Sequence, residues 1–212
     1  MKKTLFMLAA VAAVAAGCGE RTAKQNEQEA QTPAADVKTD REQWNGYTKI
    51  EPQEIEGNVI QTIGEEWMLV TSGDSADYNT MTASWGGAGV VWSRPVAWIT
   101  IRNTRYTHEF LTANDIYTLT FFGGGQKEAM MHLGSVSGRD GDKVAQSGLT
   151  PMETPLGSVS FEEATMIVEC RKIFQQALDP KSIFVDEIAA EYISSGDRHD
   201  LFFGEIVNVW IK

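Results

Sequence analysis

Residues 79–107 read N-T-M-T-A-S-W-G-G-A-G-V-V-W-S-R-P-V-A-W-I-T-I-R-N-T-R-Y-T. Two runs in it, 80–85 and 96–101, have the β-branched and aromatic enrichment of strands. The glycines at 86, 87 and 89 read as a break at a strand end. Alternation along the first run puts Thr80, Thr82 and Ser84 on one face and Met81, Ala83 and Trp85 on the other. A row of small hydroxyls after Asn79 suits a polyhydroxyl chain or the polar edge of a ring. It equally suits an ordinary Thr/Ser-rich strand face. The second run ends in a turn, Arg102-Asn103-Thr104-Arg105-Tyr106-Thr107, that leads into a helix. Arginine offers paired donors to phosphate oxygens, and the N–H groups and dipole of a helix start favour an anion. In an acidic protein the same two arginines could instead form surface ion pairs.

Outward from this stretch, further strands are expected over 67–71, 116–122, 165–174 and 201–211. Helices are expected over 107–114 and 126–135, where Ala129, Met130 and Leu133 recur at helical spacing. Strands outnumber helices, and the helices are inserted between strands rather than alternating with them. This favours a mainly β barrel with peripheral helices over a doubly wound sheet. No G-x-G-x-x-G follows a strand and opens a helix, which argues against a Rossmann nicotinamide domain. His108, His132 and His199 are far apart and lack ligand spacing, no G-x-S-x-G is present, and no catalytic residue or metal site is assigned. Cys170, in an apolar run, reads as a small buried hydrophobe rather than a reactive thiol.

The N-terminus carries a different signal. Met1-Lys2-Lys3 is followed by an apolar, Ala-rich run to Gly17, too short for a membrane span of roughly 20 residues and of the length of a secretory signal core. It ends Ala15-Ala16-Gly17-Cys18, which resembles a bacterial lipobox and makes Cys18 the expected lipidation site. An ordinary cleavage with Cys18 incidental is the alternative. Residues 18–43 are rich in Glu, Gln, Thr and Ala and poor in large apolar side chains, and are expected to be a flexible tether. The organisation expected is therefore a signal peptide at 1–17, lipidated Cys18 and tether at 18–43, and one domain at 44–212. The product would be exported and held in the bacterial cell envelope by a lipid anchor. A net charge of −11 and the lack of a basic patch argue against a nucleic-acid partner.

Five pieces in order carry a resemblance: N-T-M-T-A-S-W at 79–85, R-P-V-A-W-I-T-I-R-N-T-R-Y-T at 94–107, Y-T-L-T-F-F at 117–122, L-G-S-V-S-G-R-D-G-D-K at 133–143, and F-F-G-E-I-V at 202–207. From about Ile60 onward the chain resembles the flavin-reductase-like FMN-binding split barrels, in particular their flavoredoxin branch. The resemblance implies a split β-barrel that binds FMN non-covalently. Asn79, Thr80, Met81, Thr82, Ala83, Ser84 and Trp85 would line the ring and ribityl chain, largely through backbone and small side chains. Arg102, Arg105, Tyr106 and Thr107 would hold the 5′-phosphate. The loop from Gly138 to Lys143 would lie near the flavin with Lys143 in contact, or else be a solvated turn closed by an Arg–Asp pair. Where many relatives carry paired prolines, this chain has Arg94-Pro95-Val96. Family members are homodimers, so a homodimer is expected. The implied function is an FMN-dependent oxidoreductase of the flavin reductase or flavoredoxin type, with NAD(P)H as a candidate donor and an unknown redox partner. The alternative is a non-enzymatic electron carrier or flavin-binding lipoprotein.

Overall fold

The computed structural model describes residues 40–212. The expected signal peptide, Cys18 and most of the expected tether lie outside the described residues. Gln43 pairs with Thr48, joining β1 (Gln43–Trp44) to β2 (Tyr47–Ile50). A short helix α1 (Val59–Gln61), capped by the Asn58 side chain, runs into a wider turn over Thr62–Glu66. The main frame follows: β3 (Met68–Gly73), β4 (Tyr78–Ala83), β5 (Gly86–Val91), β6 (Arg94–Arg102), α2 (Tyr106–Ala113), β7 (Ile116–Phe121) and α3 (Lys127–Ser135). A small hairpin, β8 (Pro151–Glu153) and β9 (Val159–Phe161), precedes β10 (Met166–Ala177), α4 (Asp186–Ser194) and β11 (His199–Ile211).

The fold is mainly β, with all strand pairs antiparallel. One sheet runs in the order β1-β2-β11-β10-β7-β3-β4, and β6, with β5 outside it, also joins β11. The long strand β11 divides one edge between two neighbours: its first half pairs with β6 and its last three residues with β2. That division bends the sheet into a split barrel. Two register shifts in the β10–β11 ladder, between Glu169 and Cys170 and between Lys172 and Phe174, add the twist a curled sheet needs.

The strand and helix runs expected from sequence are all present within a few residues. Two local readings are corrected. β4 ends at Ala83, so Ser84 and Trp85 lie beyond it, and the glycine-rich stretch is a strand, not a break. A Cβ on Gly86 would come 2.6 Å from the Trp98 carbonyl, and one on Gly87 2.6 Å from the Trp98 ring. Glycine is thus what lets β5 lie against β6 at this point.

Two cores form on the two faces of the sheet. The barrel interior holds Met68, Val70, Met81, Ile99, Ile101, Tyr117, Leu119, Val168, Cys170 and Phe202. The outer face packs Leu69, Ile167 and Trp210 beneath α3 residues Met130 and Leu133 and beneath Phe161 of β9. Cys170 is fully buried, and burial pushes its thiol up to about 12, which keeps it protonated and inert. Glu169 is also buried, but accepts from the Leu156 amide, Asn208 Nδ2 and Trp210 Nε1, each at 2.8 Å. These donors satisfy the carboxylate where it would otherwise be costly. Trp67 has φ +70° and ψ 174°, a region strained for a side-chain-bearing residue. The Lys127 ammonium, 3.7 Å above its ring, also donates to the Glu65 and Glu66 carbonyls and clamps the segment.

Candidate functional site

β4 is the terminal strand of its sheet, so one edge of its backbone has no strand partner. The side chains alternate as expected, but the hydroxyls take the structural face. Thr80 Oγ1 bonds Thr71 Oγ1 at 2.8 Å and is fully buried, and Thr82 Oγ1 donates to the Met130 carbonyl of α3. The same face continues through Thr118, which donates to the Val159 carbonyl at 2.6 Å, and Thr120, bonded to Ser160 at 2.7 Å. This ladder ties the sheet to α3 and β9, and so the expected hydroxyl row on a ligand face is not formed by Thr80 and Thr82. Their backbone remains at the strand edge.

The opposite face carries Asn79 and Met81 into a cavity of about 450 Å³. Arg102, Thr104, Arg105, Tyr106 and Thr107 come to it from the end of β6 and the start of α2, and Ser135 to Arg139 and Lys143 from the exit of α3. Asn79 Nδ2 donates to Thr107 Oγ1 at 2.6 Å, joining β4 to the first turn of α2. Gly138 closes the wall: a Cβ there would run into Asn79 Oδ1. Arg105 occupies the helix cap position without a side-chain cap bond of its own, leaving the α2 N-terminus open to a ligand.

Charge inside the cavity is unevenly matched. Arg102 pairs with Asp197 at 2.8 Å, and Arg139 pairs with Glu109 while its guanidinium lies 4.7 Å from the Tyr106 ring centre. Of the two arginines read as possible surface ion pairs, Arg102 forms one and Arg105 does not, and Arg139 takes Glu109, not an aspartate of its own loop. Arg105 and Lys143 differ. Arg105 donates to the Gly134 carbonyl at 2.8 Å, and Lys143 to the Leu133 and Val136 carbonyls at 2.9 and 3.0 Å. Among the described residues neither forms an ion pair with a carboxylate. Lys143 is buried, and desolvation, with the Arg105 charge beside it, lowers its pKa to about 8. Two close cations and an open helix N-terminus, in a protein of net charge −11, form a site suited to an anion with several oxygens.

The remaining site residues fall elsewhere. Ala83 is buried in the barrel core. Ser84 and Trp85 line a second cavity of about 400 Å³ with Ile60, Trp98 and Thr100. Trp85 stacks on His199 with ring centres 5.1 Å apart. Sequence reasoning dismissed His199 for its isolation, yet the β6–β11 ladder sets it directly across from Arg102. It is buried with Nδ1 unpartnered, and desolvation and the Arg102 charge lower its pKa. Ser137 and Thr104 were also not singled out. Their signal was position, beside residues already suspected, since their types alone are unremarkable. No cluster with metal-ligating character occurs among the described residues.

A family model described as a flavin reductase like domain matches residues 61–212. Among solved structures, an FMN-binding domain of a flavin-reductase-like enzyme from Shewanella baltica aligns with a TM-score of 0.56 at 16% identity, over 78% of this chain and 76% of that one. An FMN-binding protein from Thermus thermophilus, with bound p-hydroxybenzaldehyde, aligns at 0.53 and 25% identity over 69% and 71%. A flavoredoxin of Desulfovibrio vulgaris aligns at 0.53 and 23% identity over 69% of each chain. No curated protein matches the sequence.

Proposed function

Because this chain belongs to the flavin-reductase-like family, we propose that it binds FMN non-covalently and works as an FMN-dependent oxidoreductase. The observation that carries the reading is the pair of cations without carboxylate partners, Arg105 and Lys143, at the open N-terminus of α2. These residues fit a 5′-phosphate: Arg105, Lys143, Thr107 and the first amides of α2 would hold it, with Asn79 fixing Thr107 and Arg102 at the rim. The free edge of β4 would accept the polar edge of the ligand. At about 3.3 Å per residue, the extended chain from Asn79 through the end of β4 to Ser84 runs roughly 17 Å, enough for a flavin mononucleotide. Its ring end would then lie toward Ser84, Trp85 and the unpartnered His199.

Bound FMN would supply the redox chemistry, accepting and passing on electrons. The protein's part is to bind, orient and shield. Arg105 and Lys143 neutralise the phosphate in a site where burial strengthens the attraction. Trp85, stacked on His199, would wall one side of the ring end. A second copy of the chain would complete the site. Trp92 is 63% exposed and groups with Phe174 and Phe203 on the outer sheet face. A contiguous group of exposed aromatic side chains is the kind of surface that marks a protein–protein contact. The lipobox-like A-A-G-C at 15–18 supports export and a lipid anchor, which would place the electron donor in the cell envelope.

The test is the visible spectrum of the protein after incubation with FMN and desalting, beside an Arg105→Ala/Lys143→Ala variant. A flavin spectrum retained by the wild type and lost by the variant supports the site. A colourless wild type overturns it. Reduction of the loaded protein by NAD(P)H then separates a reductase from a carrier, which would be reduced by a protein donor alone.

A further inference from the structure

A third cavity has no part in the anion site. It opens at the mouth of the barrel, on the far side of Val59 and Ile63 from the Ser84–Trp85 cavity, and measures about 320 Å³. Its floor is Ala97, Leu119, Phe121, Val168 and Ile206, all buried and all from the barrel interior. Among the described residues, the only polar side chains that reach it, Gln53, Glu56 and Thr62, stand at the rim on the segment that precedes β3.

A hollow of this kind is poor in water's terms. A buried water needs two to four polar partners, and apolar cavities of about 150 Å³ stay dry and take up benzene. This one is twice that size and offers no hydrogen-bond partner at its floor. We propose that the barrel mouth is a binding site for an uncharged, largely hydrocarbon small molecule of up to three rings. Volume sets the upper size. Charge sets the class, because the Glu56 carboxylate at the rim, in a chain of net charge −11, repels an anionic head group. A second copy is a poor occupant, since the floor lies inside the barrel where a flat protein surface does not reach. The site stands on its own geometry and does not depend on the flavin reading.

The probe is N-phenyl-1-naphthylamine, neutral and fluorescent in apolar surroundings, titrated into the full chain. The control is 1-anilinonaphthalene-8-sulfonate, the same rings with a sulfonate. Saturable one-to-one binding is expected, with the sulfonate about tenfold weaker or more. Ala97→Phe fills the floor and should weaken the neutral probe at least about tenfold, the effect of losing burial of roughly two methylenes. Ala88→Trp plugs the mouth from an exposed position and should do the same even if the core substitution disturbs folding, which a melting curve reports. Unchanged affinity in both folded variants overturns the proposal. So does a wild type that takes up no probe, or one whose uptake falls as the protein self-associates, which would mean a second copy covers the mouth.

Discussion

Lys143 holds its proton less tightly than a free lysine, with a pKa near 8 instead of 10.5, because burial and the Arg105 charge both disfavour the ammonium. The sign of two pH effects follows. Between about 8 and 10.5 the unfolded chain binds more protons than the folded one, so this residue makes stability rise with pH across that window. Anion binding runs the other way, since it needs the charged form. FMN affinity should fall as pH climbs through about 8, by about tenfold toward pH 9 to 10, in fluorescence titrations. The slope should vanish in Lys143→Met, and riboflavin, which lacks the phosphate, should show none in the wild type. Gly138 gives a second residue-scale outcome: Gly138→Ala must displace Asn79 from Thr107. A loss of about 1–3 kcal/mol in denaturant unfolding is expected, together with weaker FMN binding. Arg102 and Arg105 look alike in the sequence. Only the fold separates them, by bringing Asp197 to one and the carboxyl end of α3 to the other.

At the scale of elements, strand period was legible and strand environment was not. The alternation of β4 could be read from Thr80, Met81, Thr82 and Ala83, but nothing local says which face meets the barrel interior and which meets α3. The hydroxyls suit a ligand surface or an ordinary strand face equally by sequence, and the fold makes Thr80 and Thr82 rungs of a ladder beneath α3 and β9. Thr118→Val should therefore cost about 1–3 kcal/mol by leaving the buried Val159 carbonyl unsatisfied, with FMN affinity unchanged. Thermal or chemical unfolding beside a flavin titration distinguishes the two effects. β5 was missed because glycine weakens strand composition, and its reason for being glycine, the Trp98 backbone and indole across the ladder, is a tertiary fact. β1, β2, β8 and β9 are two to four residues long, too short to leave a periodic trace.

For the whole molecule, the motif order from Asn79 to Val207 was enough to reach the fold, because three of the pieces, 79–85, 94–107 and 133–143, meet at the anion cavity and the other two run along β7 and β11 in the sheet behind it. Burial at the surface was less legible. The exposed Trp92, with Phe174 and Phe203, and the connection between β10 and β11, where Phe184 is 94% exposed, are unfinished surfaces in a single chain. Trp92→Ser/Phe203→Ser should convert a dimer to a monomer in sedimentation velocity and lower FMN affinity with it. Retention of both dimer and affinity would remove this face from the interface.

β11 has a further consequence, in time instead of space. It is the stave against which β10, β6 and β2 are all laid, yet it is made after every one of them. While the chain is being synthesised, the earlier strands wait with open edges, and the barrel cannot close until residues 199–211 have emerged. Pairings so distant along the chain are slow to form. The nascent protein should thus remain an unclosed barrel for the whole of its synthesis. A ribosome-stalled chain ending at Gly196 should be digested by protease as readily as an unfolded one, and a full-length chain should not.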